Sequence, residues 1–242
     1  MNFKLYLEIS EELFKNAYSL GEMPREEVEK FLSNRGFDFS TRRAFTTYFG
    51  WSVPCKEAVE AIKKYARQPL YDVLAGTGYW TKTLKKAGIN VIASDIHKIT
   101  SKNLYHRSGQ DLPTTDISHL VKPEKEKILR RNALKVAYDL KRERLKGDVL
   151  ISWAPYEEPF ATDILEMLPI GSRVFYIGED MGGCTADASF HKYLCVNFGH
   201  LHTEYLPQFP GIHDYLSIYE KKQNLPIDPK YRGQNWIYED DD

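Results

Sequence analysis

One stretch of the sequence constrains the fold more than any other. The apolar run at residues 70–75 is of strand type and is broken by Gly76-Thr-Gly78. A helical pattern over 79–86 and a second apolar run at 91–95 follow. Strand, glycine turn, helix and strand make a βαβ unit. Because strands joined through a helix run in the same direction, the unit predicts a parallel sheet.

The rest of the chain extends this pattern. Amphipathic helical segments fill residues 1–66 and predict an N-terminal helical extension. Buried-type strands are predicted at 148–153 and 173–178, with a crossover helix beginning at residue 160. A helix at 187–195 precedes two strand-like runs, 200–206 and 215–221, which we expect to pair as an antiparallel hairpin. The sequence therefore predicts an α/β domain over 67–222, with a mostly parallel sheet that ends in a hairpin.

Three segments lack a clear α/β pattern. Residues 98–122 contain turn and cap residues without a period, and we expect the third strand to lie there. A long charged helix is predicted over residues 124–146, beginning at Glu124 and ending at Lys146, within an insertion at 123–147. The polar tail, 223–242, ends in acidic residues and is expected to be loose.

The glycine turn is the candidate cofactor site. Neither Gly76 nor Gly78 carries a Cβ, so backbone can approach a ligand, and the following helix directs free amides to the same place. Asp72 lies on the first strand, and Asp95 ends the second, where a carboxylate can bind a ribose diol. The alternative is a packing turn with Asp95 as a helix cap. A dinucleotide site would need a third glycine, so the pattern favours S-adenosylmethionine (SAM).

Longer blocks support this interpretation. Trp51-Ser-Val-Pro, the segment 72–80, Trp153-Ala-Pro-Tyr156 and Gly182-Gly-Cys-Thr185 together resemble a microbial and fungal family of SAM-dependent methyltransferase-like proteins. The resemblance implies a Rossmann-like class I methyltransferase fold. It also implies SAM contacts at Asp72, Ala75, Gly76, Gly78 and Asp95, to which we add Trp80 and Trp153. Leu74 departs from the family, which has glycine there.

The candidate acceptor pocket follows the predicted strand at 148–153. Amino-group methyltransferases carry a polar residue, two prolines and an aromatic residue at this point, and the polar group aligns the target nitrogen. Here the block reads Trp153-Ala-Pro-Tyr156, so Pro155 and Tyr156 are predicted as pocket wall. The alternative is a simple turn that ends a buried strand. An amino nitrogen is the favoured acceptor, and the missing polar residue leaves an oxygen acceptor open.

Two further residues are predicted to face the acceptor. Glu179 ends the strand at 173–178, and ligands of such sheets lie at the carboxyl ends of strands. His213 lies in the loop between the last two strands, and its titration near neutral pH suits a proton carrier. His200 and His202 would share a strand face without a third ligand at useful spacing, so we predict no metal.

Composition limits the partners and the location. The net charge of -1 gives no overall attraction to nucleic acid or membranes. Three cysteines without a CxxC pattern fit a reducing compartment, and we expect a cytoplasmic protein. Nucleic acid could contact only the predicted basic helix, whose cations are Lys125, Lys127, Arg130, Arg131, Lys135, Lys141, Arg142, Arg144 and Lys146. A solvated helix face is the alternative.

The predicted function is therefore methyl transfer from SAM to an unidentified acceptor. Two alternatives remain open at this stage. A methyltransferase-like domain that has lost catalysis would act as a binding or scaffold module, which Leu74 and Ala154 favour. A domain that cleaves SAM would have a closed pocket without room for an acceptor.

Overall fold

The computed structural model describes residues 3–33, 39–96, 120 and 126–234. Its α-helices are α1 (Phe3–Asn16), α2 (Arg25–Leu32), α3 (Phe39–Tyr48), α4 (Lys56–Tyr65), α5 (Tyr79–Lys86), α6 (Ala133–Lys141), α7 (Phe160–Met167) and α8 (Ala188–Asn197). Within the same ranges, short 3₁₀ helices cover Ala17–Glu22 and Pro229–Tyr231. No helix in these ranges is long and apolar enough to cross a membrane.

The strands form one mixed sheet. They are β1 (Leu70–Asp72), β2 (Val91–Asp95), β3 (Leu129–Arg130), β4 (Asp148–Ser152), β5 (Arg173–Gly178), β6 (Phe198–Tyr205) and β7 (Tyr215–Lys221). Their order across the sheet is β3-β2-β1-β4-β5-β7-β6. The first five strands are parallel, whereas β7 runs antiparallel to both β5 and β6. This is the Rossmann-like class I methyltransferase fold, as predicted.

The sheet order creates a switch point between β1 and β4. The chain leaves β1 toward β2 on one side, and the later strands β4 and β5 build the other half. The segments that follow β1 and β4 therefore leave two adjacent strand ends in different directions and open a crevice between them. In open α/β sheets the crevice at such a point is where ligands bind. The glycine turn follows β1, and Trp153 follows β4.

The N-terminal helices pack against the glycine turn and α5. Phe45 and Phe49 of this region lie 5.7 and 5.5 Å, by ring centroids, from Tyr79 at the start of α5. The Tyr79 hydroxyl donates to the Ala17 carbonyl at 2.6 Å, and the Thr77 hydroxyl donates to the Phe49 carbonyl. The extension is thus bonded to the segment that forms the candidate cofactor site.

The third strand and the basic segment differ from the sequence predictions. On the side of β2 away from β1, the described parallel neighbour is β3. It lies outside the predicted range 98–122, most of which is outside the described residues. The predicted helix over 124–146 is wrong, since this segment contains β3, a loop and the nine-residue helix α6. Asn132 begins α6 by accepting the Leu134 amide at 2.8 Å. A two-residue strand with both side chains exposed has no period to detect.

The described part of the polar tail, residues 223–234, is bonded to the domain, contrary to the expectation of a loose segment. Arg232 pairs with Asp163 and Glu166 of α7, each at 2.6 Å. The Gly233 amide donates to the Asp187 carboxylate at 2.8 Å. The first part of the tail therefore packs on α7 and α8, and residues 235–242 lie outside the described residues.

Candidate functional site

The glycine turn joins the ends of β1 and β2. The Gly76 amide donates to Oδ2 of Asp95 at 3.1 Å, and the Ala75 amide donates to the Ser94 carbonyl at 3.2 Å. Asp95 is 3% exposed. The turn and the carboxylate are therefore held together, as the βαβ prediction requires.

The two glycines have different roles. Gly76 has φ of +52°, and a Cβ built there would meet no atom of the described residues within 4 Å. Gly78 has φ of +82°, but a Cβ there would lie 2.9 Å from Cβ of Glu126 and 3.1 Å from Cδ1 of Ile128. Gly76 thus opens onto free space that a ligand can enter, whereas Gly78 allows close packing at the start of α5.

Asp72 lies beneath the turn and is bonded within the protein. Its Oδ2 accepts from the Thr81 hydroxyl at 2.6 Å, and the residue is 1% exposed. Burial raises the pKa of Asp72 to about 7, although the Thr81 hydrogen bond acts in the opposite direction. The bond to Thr81 connects β1 to α5 and gives this acid a structural role beside its predicted cofactor role.

A cavity of about 410 Å³ lies at the switch point between β1 and β4. Leu74, Gly76 and Asp95 line it on the side of the glycine turn. The segment 152–156 also lines it and includes the predicted residues Trp153, Pro155 and Tyr156. The structure thus brings the predicted cofactor and acceptor segments to one cavity, whose size is typical of small-molecule sites. A smaller adjoining cavity touches Asp72, Ala75 and Trp80.

Trp80 has a packing role as well. Its indole N–H donates to the Ser52 hydroxyl at 2.7 Å, and its ring belongs to a core cluster with Leu84 and Cys55. The side chain is 4% exposed. Trp80 therefore reaches the smaller cavity from within the core, and its contact with a cofactor stays a prediction.

Two tryptophans and an arginine form one wall of the large cavity. The rings of Trp51 and Trp153 are stacked, with centroids 5.4 Å apart and an interplanar angle of 20°. The Arg42 guanidinium lies 5.6 Å from the Trp51 ring centroid and 5.9 Å from that of Trp153. Trp51 belongs to a block that resembles the methyltransferase-like family, whereas Arg42 on α3 was missed, because nothing in its local sequence marks it.

Trp153 is held in a strained conformation. Its φ of +50° is in the left-handed region, which a bulky side chain rarely adopts and which costs about 1–3 kcal/mol. Its backbone amide donates to the Ile177 carbonyl at 2.8 Å, and its indole N–H donates to Oδ2 of Asp214 at 3.0 Å. These contacts hold the ring against the cavity in spite of the strain.

Glu179 and His213 lie beside the cavity and are not among its described lining residues. Glu179 is buried and accepts two backbone amides, from Cys184 at 2.7 Å and from His213 at 2.8 Å. It therefore connects two loops. The His213 side chain is exposed. Burial and the nearby Glu179 carboxylate raise the pKa of the Cys184 thiol, so Cys184, which does line the cavity, is not an activated thiolate.

Asp214 gives a test of the electrostatics of this wall. Burial raises its pKa to about 7, from about 3.9 in an unfolded chain. The folded protein therefore binds the proton of Asp214 more tightly than the unfolded chain does. This contribution to the free energy of unfolding is complete below about pH 4 and is lost as the pH rises through about 7. Asparagine does not ionise, so Asp214→Asn should not show this loss. We expect the unfolding free energy of the variant minus that of the wild type to be about 2–3 kcal/mol larger at pH 8 than at pH 5. Urea unfolding of both proteins at the two pH values measures this, and a constant difference would contradict the assignment.

The positive charge of the segment 126–147 is partly paired. Asp139 of α6 forms ion pairs with Arg131, with Lys135 at 2.8 Å and with Arg144 at 3.5 Å. These three cations were counted toward a nucleic-acid surface. A contact with nucleic acid stays a prediction, and Arg131, Lys135 and Arg144 would have to share their charge with Asp139.

The sequence matches no protein-family model and no curated protein. Solved structures with a distantly similar fold include the magnesium protoporphyrin IX methyltransferase of Synechocystis with bound SAM. It is 12% identical, with TM-score 0.44, and the alignment covers 82% of this chain and 97% of that one. The N-methyltransferase NodS of Bradyrhizobium japonicum is 8% identical, with TM-score 0.42 and coverage of 69% and 94%. The 1,6-didemethyltoxoflavin-N1-methyltransferase of Burkholderia thailandensis is 11% identical, with TM-score 0.40 and coverage of 82% and 87%.

Proposed function

We propose that the protein is a SAM-dependent methyltransferase with a small acceptor pocket. The observation that carries this proposal is the cavity of about 410 Å³ at the switch point between β1 and β4. It is lined by Gly76 and Asp95 and also by the segment from Ser152 to Tyr156. A transferase needs its donor and acceptor sites to meet in one space, since methyl transfer requires direct contact between the two reactants.

The residues on the donor side fit SAM. Gly76 leaves open space where a side chain would stand, so the backbone can approach the methionine end of the cofactor. Asp95 lines the same cavity at the end of β2, in the position from which a carboxylate accepts hydrogen bonds from a ribose diol. When bound, SAM supplies an electrophilic methyl group on its sulfonium.

The residues on the acceptor side act mainly by positioning. Pro155 and Tyr156 form part of the wall, and Tyr156 is 43% exposed, so its ring is accessible to an acceptor. Trp153 is held by Asp214 and contributes a second aromatic surface. Attack by a neutral amino nitrogen on a methyl group needs alignment and exclusion of water rather than a strong base. An amino nitrogen is therefore the favoured acceptor, with Glu179 and His213 proposed to shape the adjoining loops.

A binding or scaffold module without catalysis is the alternative. Leu74 lines the cavity where the similar family has glycine, and Ala154 is buried where that family has proline. Both changes are apolar and leave a cavity of about 410 Å³ open. This volume favours the methyltransferase proposal over both the scaffold and a closed SAM-cleaving site.

Calorimetric titration of SAM and S-adenosylhomocysteine into the full-length protein tests the proposal. We expect binding by the wild type and a loss of more than about 100-fold in affinity for Asp95→Ala, because two charge-assisted hydrogen bonds disappear. Asp228→Asn is the matched control. This exposed acid caps the last 3₁₀ helix, and asparagine caps equally well.

The outcomes separate the two functions. Cofactor binding that depends on Asp95 supports the methyltransferase, and transfer of a labelled methyl group can then be screened with amines. A folded wild-type protein that binds neither SAM nor S-adenosylhomocysteine would contradict the proposal and favour the scaffold.

A further inference from the structure

The described lining of the large cavity is aromatic and contains one cation. The rings of Trp51, Trp153 and Tyr156 supply flat surfaces, and the apolar side chains of Pro155 and Ile212 add to them. Arg42 is the single basic residue in this lining, and Asp95 is the single acid. Flat apolar walls favour planar ligands, because stacked rings bury a large area with little loss of conformational freedom.

Arg42 is partly desolvated and has no ion-pair partner among the residues that the structure describes. The side chain is half-buried, and Nε of Arg42 has no hydrogen-bond acceptor among the described residues. No described carboxylate forms an ion pair with it. The nearest acids are bonded elsewhere, since Asp214 accepts from Trp153 and Glu179 accepts two backbone amides. Burial lowers the pKa of Arg42, which reflects the cost of holding this cation away from water.

A bound anion would compensate this cost. A guanidinium presents a planar fork of donors that matches a carboxylate, and such pairs are stronger where water is excluded. Arg42 already lies over the Trp51 and Trp153 rings, so a ligand that stacks on this wall would bring a substituent next to its donors. Phosphate sites usually combine several cations or a helix N-terminus, and the described lining offers Arg42 alone.

We propose that the cavity binds a small planar aromatic carboxylate, with the ring against Trp51 and Trp153 and the carboxylate on Arg42. This inference rests on the proposed function, because the bound molecule would be the methyl acceptor. Arg42 is then a specificity-determining residue that the N-terminal extension contributes to the site. The extension thereby has a role in substrate choice in addition to its packing on α5.

Matched pairs of probes separate the charge from the ring. The pairs are 2-aminobenzoate with 2-aminobenzamide, and indole-2-carboxylate with indole-2-carboxamide. Each probe is titrated into the full-length protein with and without S-adenosylhomocysteine, and binding is followed by calorimetry and saturation-transfer NMR. We expect at least one carboxylate to bind about 10- to 100-fold more tightly than its amide, since the amide lacks the charge that Arg42 recognises.

The variants assign this preference to Arg42. Arg42→Gln is expected to abolish the difference between carboxylate and amide, and Arg42→Lys to retain part of it. Arg43→Gln on the same helix, outside the cavity lining, should leave the preference unchanged. Trp51→Leu should weaken both members of a pair by the same factor, because it removes stacking and leaves the charge. Thermal melting of each variant confirms that it is folded.

Each result decides the inference. Wild-type protein that binds no carboxylate more tightly than its amide overturns it, even if S-adenosylhomocysteine binds. Arg42-dependent binding of a short single-stranded oligonucleotide, without binding of the carboxylates, also overturns it and assigns the pocket to a nucleobase. A carboxylate preference that depends on Arg42 while no cofactor binds would support the anion site and contradict the methyltransferase proposal.

Discussion

Replacing Gly147 with alanine is expected to remove more than about 4 kcal/mol of unfolding free energy, or to prevent folding. Gly147 precedes β4 and has φ of +137°, which L side chains rarely adopt. A Cβ there would lie 2.0 Å from the Pro69 carbonyl oxygen. That oxygen also accepts the Asp148 amide at 3.2 Å, next to the pairing of Leu70 with Asp148. The alanine side chain would therefore clash with the Pro69 carbonyl group, whose hydrogen bond to Asp148 helps to hold β1 beside β4.

Gly171→Ala is the matched control for this prediction. Gly171 also has a positive φ, of +88°, but a Cβ there would meet nothing within 4 Å in the part of the chain that the structure describes. Only the conformational cost remains, about 1–2 kcal/mol. Urea unfolding followed by circular dichroism measures both variants. Equal losses of stability at the two positions would show that the contact with Pro69 relaxes easily, and would contradict the prediction.

Asp187→Ala is expected to cost about 3–5 kcal/mol, the second large effect. Asp187 is 1% exposed and begins α8 by accepting the Phe190 amide at 3.0 Å. Its carboxylate also accepts from the hydroxyls of Thr162 and Ser189 and from the Gly233 amide. Alanine would leave buried donors on α7, α8 and the tail with fewer acceptors, and unsatisfied donors are costly.

Two comparisons isolate the cause of this loss. Asp228→Ala removes an exposed cap from the last 3₁₀ helix and should cost only about 0.5–1 kcal/mol. Hydrogen exchange of the segment 229–234 should accelerate in Asp187→Ala, because Gly233 loses its acceptor. A small stability loss with unchanged exchange would show that Asp187 does not hold the tail against α8.

The central part of the fold is predictable from local sequence. The helix at 79–86 and the strand at 215–221 have the predicted bounds, and the hairpin pairs as expected. Glycine turns and hydrophobic periods act through near neighbours, so a short window contains the information. The approach of Asp95 to Gly76 was also predictable, because parallel strands in a βαβ unit bring their carboxyl ends to one edge.

The tertiary structure alone decided the rest of the site. Arg42, Trp51 and Trp153 come from α3, from the loop after it and from the end of β4. No period or motif connects them, since their contact depends on how the N-terminal helices pack on the glycine turn. The same holds for β3, which has two exposed residues and exists through its pairing with β2. The sequence by itself thus determined the βαβ scaffold and the place of the candidate cofactor site. The shape and charge of the large cavity arise from packing between distant segments, which local patterns do not encode.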